Sequence, residues 1–156
     1  VVRKQDFVVV VGDTFFCGTL DARAIMDRLN GTKILVTGNH DRNFLTMLNC
    51  GFSWVCEKMV MKIAGQEVLI SHYPFKEPWT RTLKMAILGK KRTLYMERRP
   101  INRGNLLIHG HTHSKQQLKE KMIHVGVDAW NYTPVSLATI ERIIKTGKLP
   151  NENAND

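Results

Sequence analysis

The sequence predicts an α/β fold, and three observations carry that expectation. Two apolar, β-branched runs, Phe7 to Val11 (FVVVV) and Lys33 to Thr37 (KILVT), flank a stretch whose apolar residues recur at helical spacing. A strand, helix, strand unit of this kind predicts a parallel pair joined by a right-handed crossover. Four predicted strands also end in polar side chains of metal-binding type: Asp13, Asn39, His72, and His111 with His113. In open α/β sheets, sites collect outside the carboxyl ends of the strands, so these four ends are expected to converge on one pocket.

The elements follow in order. The run at 7–11 reads as a strand buried on both faces, stopped by Gly12-Asp13. Asp21 is placed to cap a helix that buries Ile25, Met26 and Leu29 and stops at Asn30-Gly31. The second strand breaks at Gly38-Asn39-His40-Asp41, and a short helix is expected over 43–49, ended by Asn49-Cys50-Gly51. Met59 to Ile63 and Glu67 to Ile70 read as a hairpin around Ala64-Gly65-Gln66, the second strand running into Ser71-His72-Tyr73-Pro74. The region 76–105 has poor periodicity and heavy charge, as expected of a partly helical surface insertion. A strand over 105–108 then leads into the histidine-rich stretch LIHGHTHS, with 122–127 as its expected hairpin partner. A helix over 136–144 follows, and 151–156 reads as a polar tail.

The chain has 156 residues, 43% of them hydrophobic and 24% charged, which suits one globular domain over 1–150 with a real core. No apolar stretch is long enough to span a bilayer, so no membrane partner is expected. Cys17, Cys50 and Cys56 lack metal-type spacing and form an odd set, which predicts free thiols and a cytoplasmic location. A net charge of +9 favours anionic partners: phosphate esters, nucleotides or nucleic acid. The chain starts at Val1 and enters a strand almost at once, as a piece beginning in mid-domain would.

Taken singly, each polar strand end has an ordinary reading. Gly-Asp after a strand is usually a turn, and a histidine beside Tyr73-Pro74 is often structural. Those readings would have to hold independently at four strand ends, whereas one metal site accounts for all of them. A carboxylate, an amide oxygen and imidazoles without thiolate suit Mn²⁺, Fe, Zn²⁺ or Ni²⁺ better than Ca²⁺ or a structural zinc. The five candidate ligands Asp13, Asn39, His72, His111 and His113 exceed what one tetrahedral ion needs, and a central aspartate can bridge two ions about 3.5 to 4 Å apart. His109 is separated from this set by Gly110, which argues against a continuing strand and for a structural role.

The ordered set Gly12-Asp13, Gly38-Asn39-His40-Asp41, His72 and Gly110-His111-Thr112-His113 closely resembles the calcineurin-like metallophosphoesterases, over about Phe7 to Ile144. The stretch His124 to Asn131 (HVGVDAWN) is similar to a small bacterial or phage-type branch of that superfamily. The resemblance implies a sandwich of two mixed β-sheets flanked by helices. It implies two divalent ions, Mn²⁺ favoured, and hydrolysis of phosphodiester or nucleotide-type phosphate bonds by a metal-activated hydroxide. Asp13 would bridge the ions, Asn39, His72 and His111 would complete the second site, and His113 would serve the first. His40 would protonate the leaving oxygen or stabilise the charge on the transferring phosphoryl group, and Asn39 would also touch a phosphate oxygen.

The sequence departs from the family in two places. The family opens with an Asp-x-His motif on its first strand, which nothing before Asp13 matches; Asp6 is followed by Phe7 and Val8. The fold is therefore expected to lack that strand here; an upstream segment, another chain or the loss of one metal would each account for it, and an upstream segment is favoured because a missing central strand would leave an apolar sheet edge open. Phe16 and Cys17 occupy the place where the protein-phosphatase branch carries a further Asp and Arg, which sets that branch aside. Asp41 and Arg42 are the candidates to take over part of that work, Arg42 as a phosphate contact. The run 84–103 holds seven cations against Glu97, and as a basic flap at the pocket mouth it would draw in phosphate-rich substrates, with Tyr95 or Trp79 for stacking. Two further readings stand beside an enzyme: a catalytically impaired metal-binding or scaffold module of the same fold, and a basic nucleic-acid-binding protein.

Overall fold

A computed structural model describes residues 2–77 and 95–150. Two β-sheets and their flanking helices make up the described chain. The first sheet is three parallel strands in the order β1 (Phe7–Val10), β2 (Thr32–Val36), β3 (Trp54–Cys56). The second has the order β4 (Lys58–Ile63), β5 (Gln66–Ser71), β6 (Leu106–His109), β8 (Met122–His124), β7 (Leu118–Lys119). In it β5, β6 and β8 run parallel to one another, while β4 and β7 pair antiparallel on the two edges. Among the described residues only this second sheet is mixed, because each edge strand is joined to its neighbour by a tight hairpin.

Sheet faces and helices bury one another by residue type. Alternation puts Val68, Ile70, Ile108 and Ile123 on one face of the second sheet, where they form a core with Val36 of β2 and with Ile140 and Ile143 of α3 (Leu137–Thr146). Val9 and Val11 pack against the same core, so the two sheets share it. A smaller core lies beyond the first sheet, where Leu35 meets Met26 of α1 (Thr19–Arg28), Met47 of α2 (Phe44–Asn49) and Phe52. At about 25 cal/mol per Å² of apolar surface, such fully enclosed side chains are the main stabilising term.

Caps and turns account for several boundaries. Asn43 and Ser136 accept the backbone N–H groups of Thr46 and Thr139 and start α2 and α3, and Gly147 ends α3 in the left-handed region at φ 68°. Ala64 and Gly65, at φ 50° and 82°, form the two-residue turn of the β4–β5 hairpin.

Several expectations are corrected. Asp21 lies inside the first turn of α1, whose cap is Gly18, and Ile25 and Leu29 are exposed while Ala22 and Met26 are buried. The segment at 122–127 is no hairpin partner of β6: β8 pairs parallel to it, and its hairpin partner is β7, turned through Glu120 at φ 53°. β1 is only half buried, because among the described residues it lies at the edge of its sheet beside β2, and Phe7 is 75% exposed. β3 and a 3₁₀ turn over Val127–Ala129 were not anticipated. The three cysteines are free, as expected. Most of the insertion, residues 78–94, lies outside the described residues, as does the tail at 151–156.

Candidate metal centre

The carboxyl ends of β1, β2, β5 and β6 meet at one place, and each delivers one donor. Asp13 follows β1 through Gly12, Asn39 follows β2 through Gly38, His72 directly follows β5, and His111 follows β6 through Gly110. Both Gly12 and Gly38 are required by close approach. A Cβ at Gly12 would run into the His72 ring and sit 2.7 Å from the backbone nitrogen of Gly38, at a φ of 80°. A Cβ at Gly38 would collide with the Asp13 carboxylate.

His72 is at the centre and is 2% exposed. Its Nδ1 lies 2.8 Å from the carbonyl oxygen of Val11, which can only accept, so Nδ1 carries the proton. Its Nε2 faces Asp13 Oδ2 at 3.3 Å, Asn39 Oδ1 at 3.2 Å and His111 Nδ1 at 3.1 Å. With the proton on Nδ1, Nε2 turns a lone pair toward the oxygens of Asp13 and Asn39, an arrangement that a cation among the four atoms would satisfy. Atoms bound to one ion at about 2.1 Å lie about 3.0 to 3.4 Å apart at octahedral to tetrahedral angles, the spacing found around Nε2. The Asp13, His72 and His111 donor atoms all lie within 4.8 Å of one another.

The surroundings hold these donors in place. Asp13 Oδ1 accepts the backbone N–H of His40 at 2.9 Å, which leaves Oδ2 to face the histidines. The Asp41 carboxylate accepts the backbone N–H groups of Asp13, Thr14 and Gly38 at 2.9, 2.8 and 2.7 Å, clamping the β1 turn to the β2 turn. Tyr73 and Tyr95 wall in His111, with ring centroids 5.0 and 5.9 Å from its own. Burial, followed by the charges of His72 and Arg99, pushes the His111 imidazole down to about 4, so its ring is neutral near neutral pH. Asp13 and His111 both have left-handed backbone, at φ 54° and 66°, a conformation that non-glycine residues adopt at a cost and that recurs at functional sites.

The other candidates stand outside this group of four. His113 is on the same loop as His111 but is exposed, and its Nδ1 is 3.1 Å from Asp128 Oδ2. That pairing leaves Nε2 free, the usual arrangement of a metal-binding histidine with a carboxylate behind it. His40 is exposed at the mouth, its ring 5.1 Å from that of Phe16. Arg42 donates through Nη2 to the carbonyl of Cys17 at 3.2 Å. Tyr95 packs on Tyr73 and His111 with the Arg98 guanidinium 5.9 Å over its ring, and Trp79 lies outside the described residues. His109 is buried on β6 at 5% exposure, its Nδ1 directed to the carbonyl of Gly110. The clamping role of Asp41 and the burial of Arg99, at 9% exposure, were not anticipated. Asp41 had a usable signal, since it sits three residues after Gly38 in a turn.

No protein-family model matches the chain. It is 28% identical over 151 residues to the gene 66 protein of Mycobacterium phage D29, covering 83% of this chain and 71% of that protein. It is 28% identical over 159 residues to an uncharacterized protein of Methanocaldococcus jannaschii, covering 96% and 72%. Among solved structures it is similar to a protein of unknown function from Aquifex aeolicus, with a TM-score of 0.63, 26% identity, and coverage of 92% of this chain and 78% of that one.

Proposed function

We infer that the protein is a metal-dependent phosphoesterase of the calcineurin-like metallophosphoesterase type, cleaving phosphodiester or nucleotide-type phosphate bonds. The observation that carries the reading is the inward-facing set of Asp13 Oδ2, Asn39 Oδ1, His72 Nε2 and His111 Nδ1. These residues would hold a divalent cation such as Mn²⁺, and His113, backed by Asp128, is the donor available to a second. A bound cation supplies Lewis acidity, polarising a phosphoryl oxygen and lowering the pKa of water toward neutrality. Asp13 turns Oδ2 inward because the His40 N–H occupies its other oxygen. His40, exposed beside the cluster, gives a proton to the departing oxygen. Asn39 orients a phosphoryl oxygen, and basic residues such as Arg42 and Arg98 draw in the anionic substrate.

The test is hydrolysis of bis-p-nitrophenyl phosphate and of p-nitrophenyl phosphate by the full-length protein with added Mn²⁺, together with metal content per chain. Turnover that chelator abolishes, and a loss of both turnover and metal in His111→Ala, are the expected results. Absence of turnover with either ester would overturn the reading. A second reading, a metal-binding module without hydrolytic activity, is favoured by one observation: the grouped donors make up one ion's set, with His113 turned to Asp128. Stable binding of one ion per chain with no turnover would select it.

A further inference from the structure

The second sheet carries a cavity of about 280 Å³ on the face opposite the core. Ile108 and Ile123 point into the core, so the next residues along their strands, His109 and His124, point to the other side. These two histidines are register partners, with ring centroids 5.1 Å apart, and both line the cavity. His124 is 2% exposed, and neither of its ring nitrogens makes a hydrogen bond of good geometry, although the backbones of Ser114 and Gln116 lie nearby. Arg99 also lines it at 9% exposure, with an unpartnered Nε.

Polar side chains this deeply buried are costly to leave without full partners, so their place in the lining of a cavity points to a ligand that the folded chain does not itself supply. The lining selects its charge. Arg99 and Lys119 are two fixed cations against the one carboxylate of Glu77, and an arginine repels a metal ion at any accessible pH. Thr112 and Ser114 add hydroxyls from the loop that also carries His111. We propose that this cavity is a binding site for a phosphate-type oxyanion, gripped by the Arg99 guanidinium and the hydroxyls of Thr112 and Ser114. Arginine at a partly enclosed site is suited to oxyanions through its fork of parallel N–H groups. The cavity is separate from the four inward donors at His72, and its occupancy does not require a metal.

That independence sets the experiment. The full-length protein is stripped of metal, the chelator is removed, and inorganic phosphate is titrated calorimetrically at constant ionic strength, with sodium chloride as the control. Binding of phosphate, weakened about tenfold or more by Arg99→Gln and less by Arg99→Lys, is the expected result, in keeping with loss of one charge-assisted contact. Should Arg99→Gln fail to fold, the wild-type protein still decides the matter: phosphate should shift the imidazole resonances of His109 and His124. Unmoved resonances, no heat beyond the chloride control, or binding that Arg99→Gln leaves intact would each overturn the proposal. Phosphate binding that survives when no ester is hydrolysed leaves this site standing while the phosphoesterase reading falls.

Discussion

Asp41 does the most to place the four inward-facing donors without joining them. Its carboxylate takes three backbone N–H groups from two separate turns, and hydrogen bonds to a charged acceptor are worth about 1.5–3 kcal/mol each before losses. Asp41→Ala should therefore cost about 2 to 4 kcal/mol in urea denaturation and weaken metal binding, because Asp13 would lose its fixed approach. His40→Ala should act in the opposite sense, with turnover falling about 10²- to 10⁴-fold and metal content unchanged. An unaltered rate would remove His40 from the reaction. The residues that form the centre were legible because each sits at a strand end beside a glycine or a turn. Arg99 was not, since an enclosed arginine looks in sequence like any other surface charge, and Asp41 was legible only as a turn residue whose carboxylate would serve backbone amides.

Elements were legible in proportion to their length. Strands of four to six residues, such as β1, β2, β4 and β5, carry enough β-branched or alternating positions to announce themselves. The three residues of β3 and the two of β7 do not. The long connection from β6 to β8 permits a parallel or an antiparallel return, and the choice fell to β7, which takes the hairpin position for itself. Local turn chemistry offers a direct check. Ala64 has the first left-handed position of the β4–β5 turn, where asparagine is preferred, so Ala64→Asn should raise stability by about 0.5–1 kcal/mol. Gly147→Ala should lower it by about 1 kcal/mol at the end of α3, and paired thermal melts of the two variants would read both effects.

For the whole molecule, the buried histidines tie stability to pH. Burial pushes His109 down to about 4, whereas an unfolded imidazole titrates near 6.5. Between those values the unfolded chain binds more protons than the folded one, so stability is complete above pH 6.5 and falls as pH drops toward 4. His109 alone should account for a loss on the order of 3 kcal/mol in metal-stripped protein, with His111 and His124 shifting in the same direction. Urea midpoints that stay flat from pH 7 to about 4.5 would contradict this. Among the described residues no helix is long and apolar enough to cross a membrane. The arrangement of the four donors has one more effect. Asp13 and Asn39 belong to the first sheet, His72 and His111 to the second, so the donors face one another only after the two layers have docked. A chain emerging from the ribosome, or one whose layers have parted, offers an ion only half a grip. A metal ion held there would thereby be a record of completed assembly, and amide hydrogen exchange along the seam between the layers should slow when Mn²⁺ is added.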